Sequence, residues 1–170
     1  AADTFNDAAG NGNTVSNTFD WTYDGTGPTM TITSTAGTAD GGSSNVEAFA
    51  LTFTSNEATT DFVVGDITET GCSLTDFASD GGSTTVYEAT CTVSADGAAS
   101  VLVAAGEFSD ATGNTNSVSN TYSWTQDDTG PTMTITSATV ASGSSTNTGA
   151  VVLVYTSNEA TNNFALVDIT

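Results

Sequence analysis

The stretch DGTGPTMTITS occupies residues 24–34, and DDTGPTMTITS occupies residues 127–137. The two differ only at Gly25 against Asp128 and stand 103 residues apart. The likeness spreads upstream. Between Phe5–Ser34 and Phe108–Ser137, 22 of 30 positions are identical at that offset. Downstream it resumes at an offset of 102, where TSNEAT at 54–59 recurs at 156–161, Phe62 recurs as Phe164, and DIT at 66–68 recurs at 168–170. The residue lost in between falls in a stretch of Gly, Ser and Thr, which reads as a loop. A fixed period marks an array of like units, and a period of about 100 residues suits one small domain per unit.

The quoted stretch also sets the secondary structure. Met30 and Ile32 point one way and Thr29, Thr31 and Thr33 the other, the period-two alternation of a half-buried strand. The same alternation puts Phe49, Leu51 and Phe53 on one face of AFALTFTSN. It aligns Val15, Phe19, Trp21 and Tyr23, then Val118, Tyr122 and Trp124, in the two stretches that open with VSNT at 15–18 and 118–121. Turn clusters such as DGGS at 80–83 and SADG at 94–97 separate the runs. Pro28 and Pro131 stand where a first strand begins, a position that tolerates a missing donor. Seven strands are predicted, near 28–35, 48–55, 60–68, 71–77, 85–94, 99–108 and 116–125. About seven short antiparallel strands in 100 residues predict an all-β, two-sheet sandwich, with a small barrel as the alternative. GPT after an acidic pair reads as a linker leading into a first strand. The expected organisation is therefore the closing part of a preceding repeat at 1–23, a complete repeat at 24–126, and the opening part of a following repeat at 127–170. The expected neighbours are further repeats of the same chain.

Composition excludes several functions. The chain has no Lys, Arg or His and 20 acids, for a net charge of −20. Nucleic-acid binding needs cations against phosphates, and adsorption to an anionic membrane fails for the same reason. No apolar run approaches the roughly 20 residues of a membrane-spanning helix. The 35 Thr, with abundant Ser and Gly, supply a polar surface on which no salt bridge between side chains can form. Without His, Lys or Arg there is no conventional general base near neutral pH, no Schiff base and no guanidinium clamp. Paired carboxylates alone are enough for glycoside hydrolysis. Here, however, the acids recur in register as Asp7/Asp110, Asp24/Asp127, Glu57/Glu159 and Asp66/Asp168, as residues serving the repeat itself do. No enzyme is expected.

The pieces DDTGPTMTITS, TFTSNEATTDFVVGDIT, GCSLTDFASDGGSTTVYEATCTVSADG and VAAGEFSDATGN resemble the bacterial Ig-like domains that occur in tandem in giant secreted adhesins. Similar repeats occur in algal extracellular proteins. The resemblance implies tandem Ig-like sandwiches, a structural role without catalysis, and an extracellular or cell-surface place. The expected function is a repeat segment of a long rod or filament, either a single adhesin stalk or a fibre of many copies packed together. A component of an algal flagellar hair (mastigoneme) is one alternative, and a ligand-binding surface for glycan or ice is another. The rows Thr29, Thr31, Thr33 and Thr132, Thr134, Thr136 prompt the ice reading, although outward Thr is ordinary on a strand.

Two sites are expected. Cys72 and Cys91 are read as an intradomain disulfide, with two free buried thiols as the alternative. A two-residue hairpin turn at Gly81–Gly82 would set them opposite each other, and an extracellular home favours the bond. Calcium is expected at the junctions. Strands that run up and down place Asp24, Glu57, Asp110, Asn114 and Asn116 at one end of the unit, and the next unit repeats the pattern with Asp127, Asp128 and Glu159. Crowded carboxylates and amides are what calcium takes as ligands. Asp40, Glu69 and Asp96 are expected in loops at the opposite end.

Overall fold

The structure is a computed structural model that describes residues 1–170 except Ala36 and Gly37. Eight strands build the unit: β1 (Met30–Thr33), β2 (Gly42–Ser44), β3 (Ala48–Ser55), β4 (Ile67–Thr70), β5 (Ser73–Ser79), β6 (Val86–Thr92), β7 (Gly97–Val103) and β8 (Tyr122–Gln126). They form two four-stranded sheets, ordered β1-β3-β6-β5 and β2-β8-β7-β4. All pairings are antiparallel except β2 with β8. This is the ABED and CFG partition of an immunoglobulin-type sandwich, with β2 added along the last strand.

Alternation decides which side of each strand is buried. Met30 and Ile32 of β1, Phe49, Leu51 and Phe53 of β3, Ala89 and Cys91 of β6, Val101 and Val103 of β7, and Tyr122 and Trp124 of β8 all turn inward. The buried apolar core lies wholly between Met30 and Trp124. Phe62 is its centre, with ring centroids 5.0 Å from Phe108, 5.1 Å from Tyr87, 5.4 Å from Phe77 and 6.0 Å from Phe53. Tilted and edge-on rings at these separations suit the aromatic quadrupole.

Four details differ from the sequence reading. The predicted strand 60–68 is broken by a 3-10 turn at Val64–Asp66, and only from Ile67 does the chain enter β4. Asp66 makes that turn, since its carboxylate accepts from Val63 N at 2.8 Å. The strand β2 escaped prediction because its Gly-Ser-Ser has no apolar alternation; it is held by parallel pairing to β8. Val118, predicted to face inward, is 61% exposed. Glu69, expected in a loop, lies within β4.

Both flanks repeat pieces of the unit. Strands β9 (Met133–Thr136) and β10 (Val154–Ser157) pair as β1 and β3 do, with Ile135 opposite Tyr155 where Ile32 lies opposite Phe53. Upstream, Asn13 N donates to Phe5 O at 2.9 Å, as Asn116 N donates to Phe108 O at 2.9 Å. Yet the inward positions of the flanks are exposed: Phe5 69%, Phe19 85%, Trp21 74%, Met133 38% and Ile135 57%. The expectation that these side chains are core is met by their counterparts in the unit and not in the flanks themselves.

Candidate metal centre at the upstream end

Three loops meet where the chain enters the sandwich. Asp24 stands in the segment before β1, Glu57 in the loop after β3, and Asp110 in the loop after β7. Each offers a carboxylate oxygen, and the three oxygens lie within 4.8 Å of one another. The site runs from exposed Asp24 through half-buried Glu57 to buried Asp110.

Each acid is positioned by local sequence. Asp110 Oδ1 accepts from Thr112 N (2.8 Å), Thr112 Oγ1 (2.9 Å) and Asn114 N (2.9 Å), and Oδ2 accepts from Asn114 Nδ2 (2.9 Å). The Asn114 side chain is the largest cause that holds the Asp110 carboxyl down to about 2, against the opposing effect of desolvation. The loop is encoded locally: Asp7 and Asn11 rebuild it outside any core, with Asn11 Nδ2 2.9 Å from Asp7 Oδ2, and Asp7 too is held below the ordinary carboxylate range, chiefly by the Asn11 side chain. Asn56 aims Glu57, accepting from Thr29 N at 2.6 Å and donating its own backbone N–H to Thr29 O at 3.1 Å. Glu57 Oε1 is buried and has no hydrogen-bond partner among the described residues. Asp24 Oδ1 accepts from Thr26 N at 3.1 Å, and its backbone carbonyl accepts from Asn114 Nδ2 at 3.2 Å.

The remaining predicted residues divide. Asn114 is a bracing neighbour of the cluster, bonded to two of its members. Asn116 is committed elsewhere: its amide oxygen accepts from Glu107 N and Phe108 N, and its nitrogen donates to Ala104 O and Ser117 O. It braces the loop and offers no spare atom to an ion. Glu159 repeats Glu57, with a buried Oε1 that has no partner among the described residues, and Asp127 repeats Asp24, accepting from Thr129 N at 3.3 Å. At the same offset, the counterpart of Asp110 would fall past residue 170. Asp128 is separate from this set, its backbone amide bonded to Asp96.

The thiols come together by a different register from the one predicted. The connection after β5 is a 3-10 turn at Asp80–Gly82 with Gly81 and Gly82 at positive φ, and the β5–β6 pairing shifts between Thr75 and Ala78, where Asp76 has φ 55°. Leu74, not Cys72, lies opposite Cys91. Cys72 instead sits just before β5, on the corner where the chain crosses between sheets. Both are free thiols here, and the influence of each on the other lowers Cys72 and raises Cys91 from the ordinary thiol range. The outward Thr rows also pair across strands, Thr31 with Thr54, Thr33 with Thr52, and Thr75 with Thr90, but Glu88 lies opposite Thr52 and interrupts them.

Fold and site define an immunoglobulin-type sandwich with a cluster of acids at one end. The family described as "Bacterial Ig-like domain" matches residues 24–125, and the chain belongs to it. No curated protein and no solved structure matches the chain. Domains of this family are typically non-enzymatic, suggest structural or adhesive modules, and are often found on the cell surface or outside the cell. Among the described residues no helix is long and apolar enough to cross a membrane.

Proposed function

We propose that the chain is a run of structural repeats in a long extracellular rod or filament, with 24–126 as one complete bead, 1–23 closing the bead before it and 127–170 opening the bead after it. One observation carries this reading: the flanks expose the very side chains that the unit buries. Trp21 is 74% exposed against 2% for Trp124, and Ile135 is 57% exposed against 2% for Ile32. Leaving a large apolar side chain in water forfeits about 1.5–3 kcal/mol, so each flank is suited to a neighbouring half-sandwich. The linker DDTG is short, so consecutive beads stay close and length grows with copy number.

Calcium at the upstream end is part of the proposal. Asp24, Glu57 and Asp110 would hold it, with waters completing the six to eight oxygens the ion takes. The unpartnered Glu57 Oε1, beside two other carboxylates in a chain without Lys, Arg or His, supports that role. The ion would tie the linker to two loops of the bead it leads into. The Cys72–Cys91 bond is proposed as a staple on the sheet-crossing corner. No catalytic role is proposed. The Thr face, interrupted by Glu88, does not favour the ligand-surface alternative.

The test is small-angle scattering on two copies of Asp24–Gln126 in series, with calcium and with chelator. An extended two-bead profile that loosens on chelation supports the reading. A compact or collapsed pair, unaffected by the metal, contradicts it.

A further inference from the structure

The chain leaves the sandwich after Gln126, and each of the next three residues is held by the bead it has just left. Asp127 N donates to Ser44 O at 2.9 Å. Asp128 N donates to Asp96 Oδ1 at 2.7 Å, and Thr129 Oγ1 donates to Asp96 Oδ2 at 2.5 Å. One carboxylate, in the turn between β6 and β7, thus grips two successive linker residues through its two oxygens. Thr129's hydroxyl, then Asp128's amide, hold the Asp96 carboxyl below its ordinary range.

The repeat supplies an independent sign. At the position of Asp128 the upstream linker has Gly25, while at the position of Thr129 it has Thr26. Only the backbone N–H is used at the first position, so the side chain is free to vary. The hydroxyl is used at the second, and Thr stands there both times. Position 127, by contrast, matches Asp24, whose side chain belongs to the carboxylate cluster of the bead that follows it. The linker residues therefore divide their allegiance: 128, 129 and the backbone of 127 grip backward, and the side chain of 127 is placed to grip forward.

We propose that Asp96 is a latch that docks residues 127–129 onto the downstream end of the bead and so fixes the direction in which the next repeat points. The latch is the metal-free half of the junction. It rests on the tandem reading for its purpose but not for its existence, because both hydrogen bonds lie within this chain.

The test is amide hydrogen exchange and 15N relaxation on the 170-residue chain. In the native chain Asp128 N–H is protected and residues 127–129 are as rigid as β8. Asp96→Ala speeds exchange at Asp128 by about tenfold, the change expected for one charge-assisted hydrogen bond, and loosens the linker. Asp96→Asn, which keeps the accepting oxygen, restores most of the protection. Thr129→Val loosens residue 129 while Asp128 stays protected, and it serves as the second variant should Asp96→Ala disturb the bead. Unchanged exchange at Asp128 in Asp96→Ala, or a mobile linker in the native chain, overturns the latch. If the latch behaves as described while the two-bead chain fails to extend, the tandem reading falls and the latch stands.

Discussion

Trp21 and Trp124 hold one position in two copies of the repeat, yet Trp124 is 2% exposed and Trp21 74%. Trp124 packs 5.0 Å from Phe49 across the closed sandwich and 6.0 Å from Tyr122 on its own strand. Among the described residues only Tyr23 offers Trp21 a ring, at 6.5 Å. The sequence around the two is nearly the same, so the difference comes from whether the rest of a bead stands opposite.

The same contrast predicts unequal costs for equal substitutions. Phe62 touches four rings in the core, and Phe62→Ala will destabilise the bead by about 3–5 kcal/mol. Phe164, its counterpart, is 41% exposed and pairs with one ring, Tyr155, among the described residues, so Phe164→Ala will change stability by less than about 0.5 kcal/mol. Urea unfolding of the two variants measures both, and equal losses would refute the assignment of the core to one bead.

Calcium will raise the melting temperature, and at a hundredfold excess over Kd the gain is about 2.7 kcal/mol. Glu57→Gln removes one of three crowded charges. The variant will be more stable than the native chain in chelator and will gain little from calcium. Calorimetric melts with and without the ion check this, and a Glu57→Gln chain that responds to calcium as the native one does would exclude Glu57 as a ligand.

Asp110 sets a pH dependence with a definite sign. Its folded carboxyl sits at about 2, below the ordinary 3.8, because Asn114 favours the ionised form. The stability it adds is present above the unfolded value and is lost as pH falls from about 4 through about 2. An NMR titration will place the Asp110 midpoint near 2, and Asn114→Ala will move it up toward 3.8. A midpoint indifferent to Asn114 would contradict the assignment.

How much was legible follows from how local each signal is. The period, the strands with apolar alternation, and the grouping of Asp24, Glu57 and Asp110 could all be read, because strand parity alone decides which loops share an end. The Asp110–Asn114 loop is so local that Asp7–Asn11 forms it without a core. The pairing of β2 was not legible, since Gly-Ser-Ser carries no apolar signal and its partner lies about 80 residues away. The β5–β6 register was set first by the 3-10 turn at Asp80–Gly82, which already puts Ser79 opposite Tyr87, and then by a one-residue shift near Asp76, at positive φ; alternation shows neither. Asn116 looked like a ligand because side-chain chemistry does not reveal four backbone partners. Asp96 was recognised only as an acid in a downstream loop, and its grip on the linker needed the structure.

The thiols predict a staple. Thiol titration of denatured, unreduced protein will find no free cysteine, and two would rule the bond out. Reduction, with the two thiols regenerated by exchange with a small dithiol, will lower stability by about 3 kcal/mol on the chain-entropy estimate.

The central claim is that the flanks are parts of beads like 24–126. It is tested most directly by replacing Phe108–Gln126 with Phe5–Tyr23 in the complete unit and measuring the tryptophan emission and quenching of the product. If residues 5–23 close a bead, Trp21 takes the place of Trp124, its emission shifts to the blue, quenchers no longer reach it, and unfolding stays cooperative. Ser123, which bonds Asp40, is exchanged for Asp20, so the same chain carrying Asp20→Ser controls for that repulsion. A quenchable, water-exposed Trp21 in both chains would contradict the account.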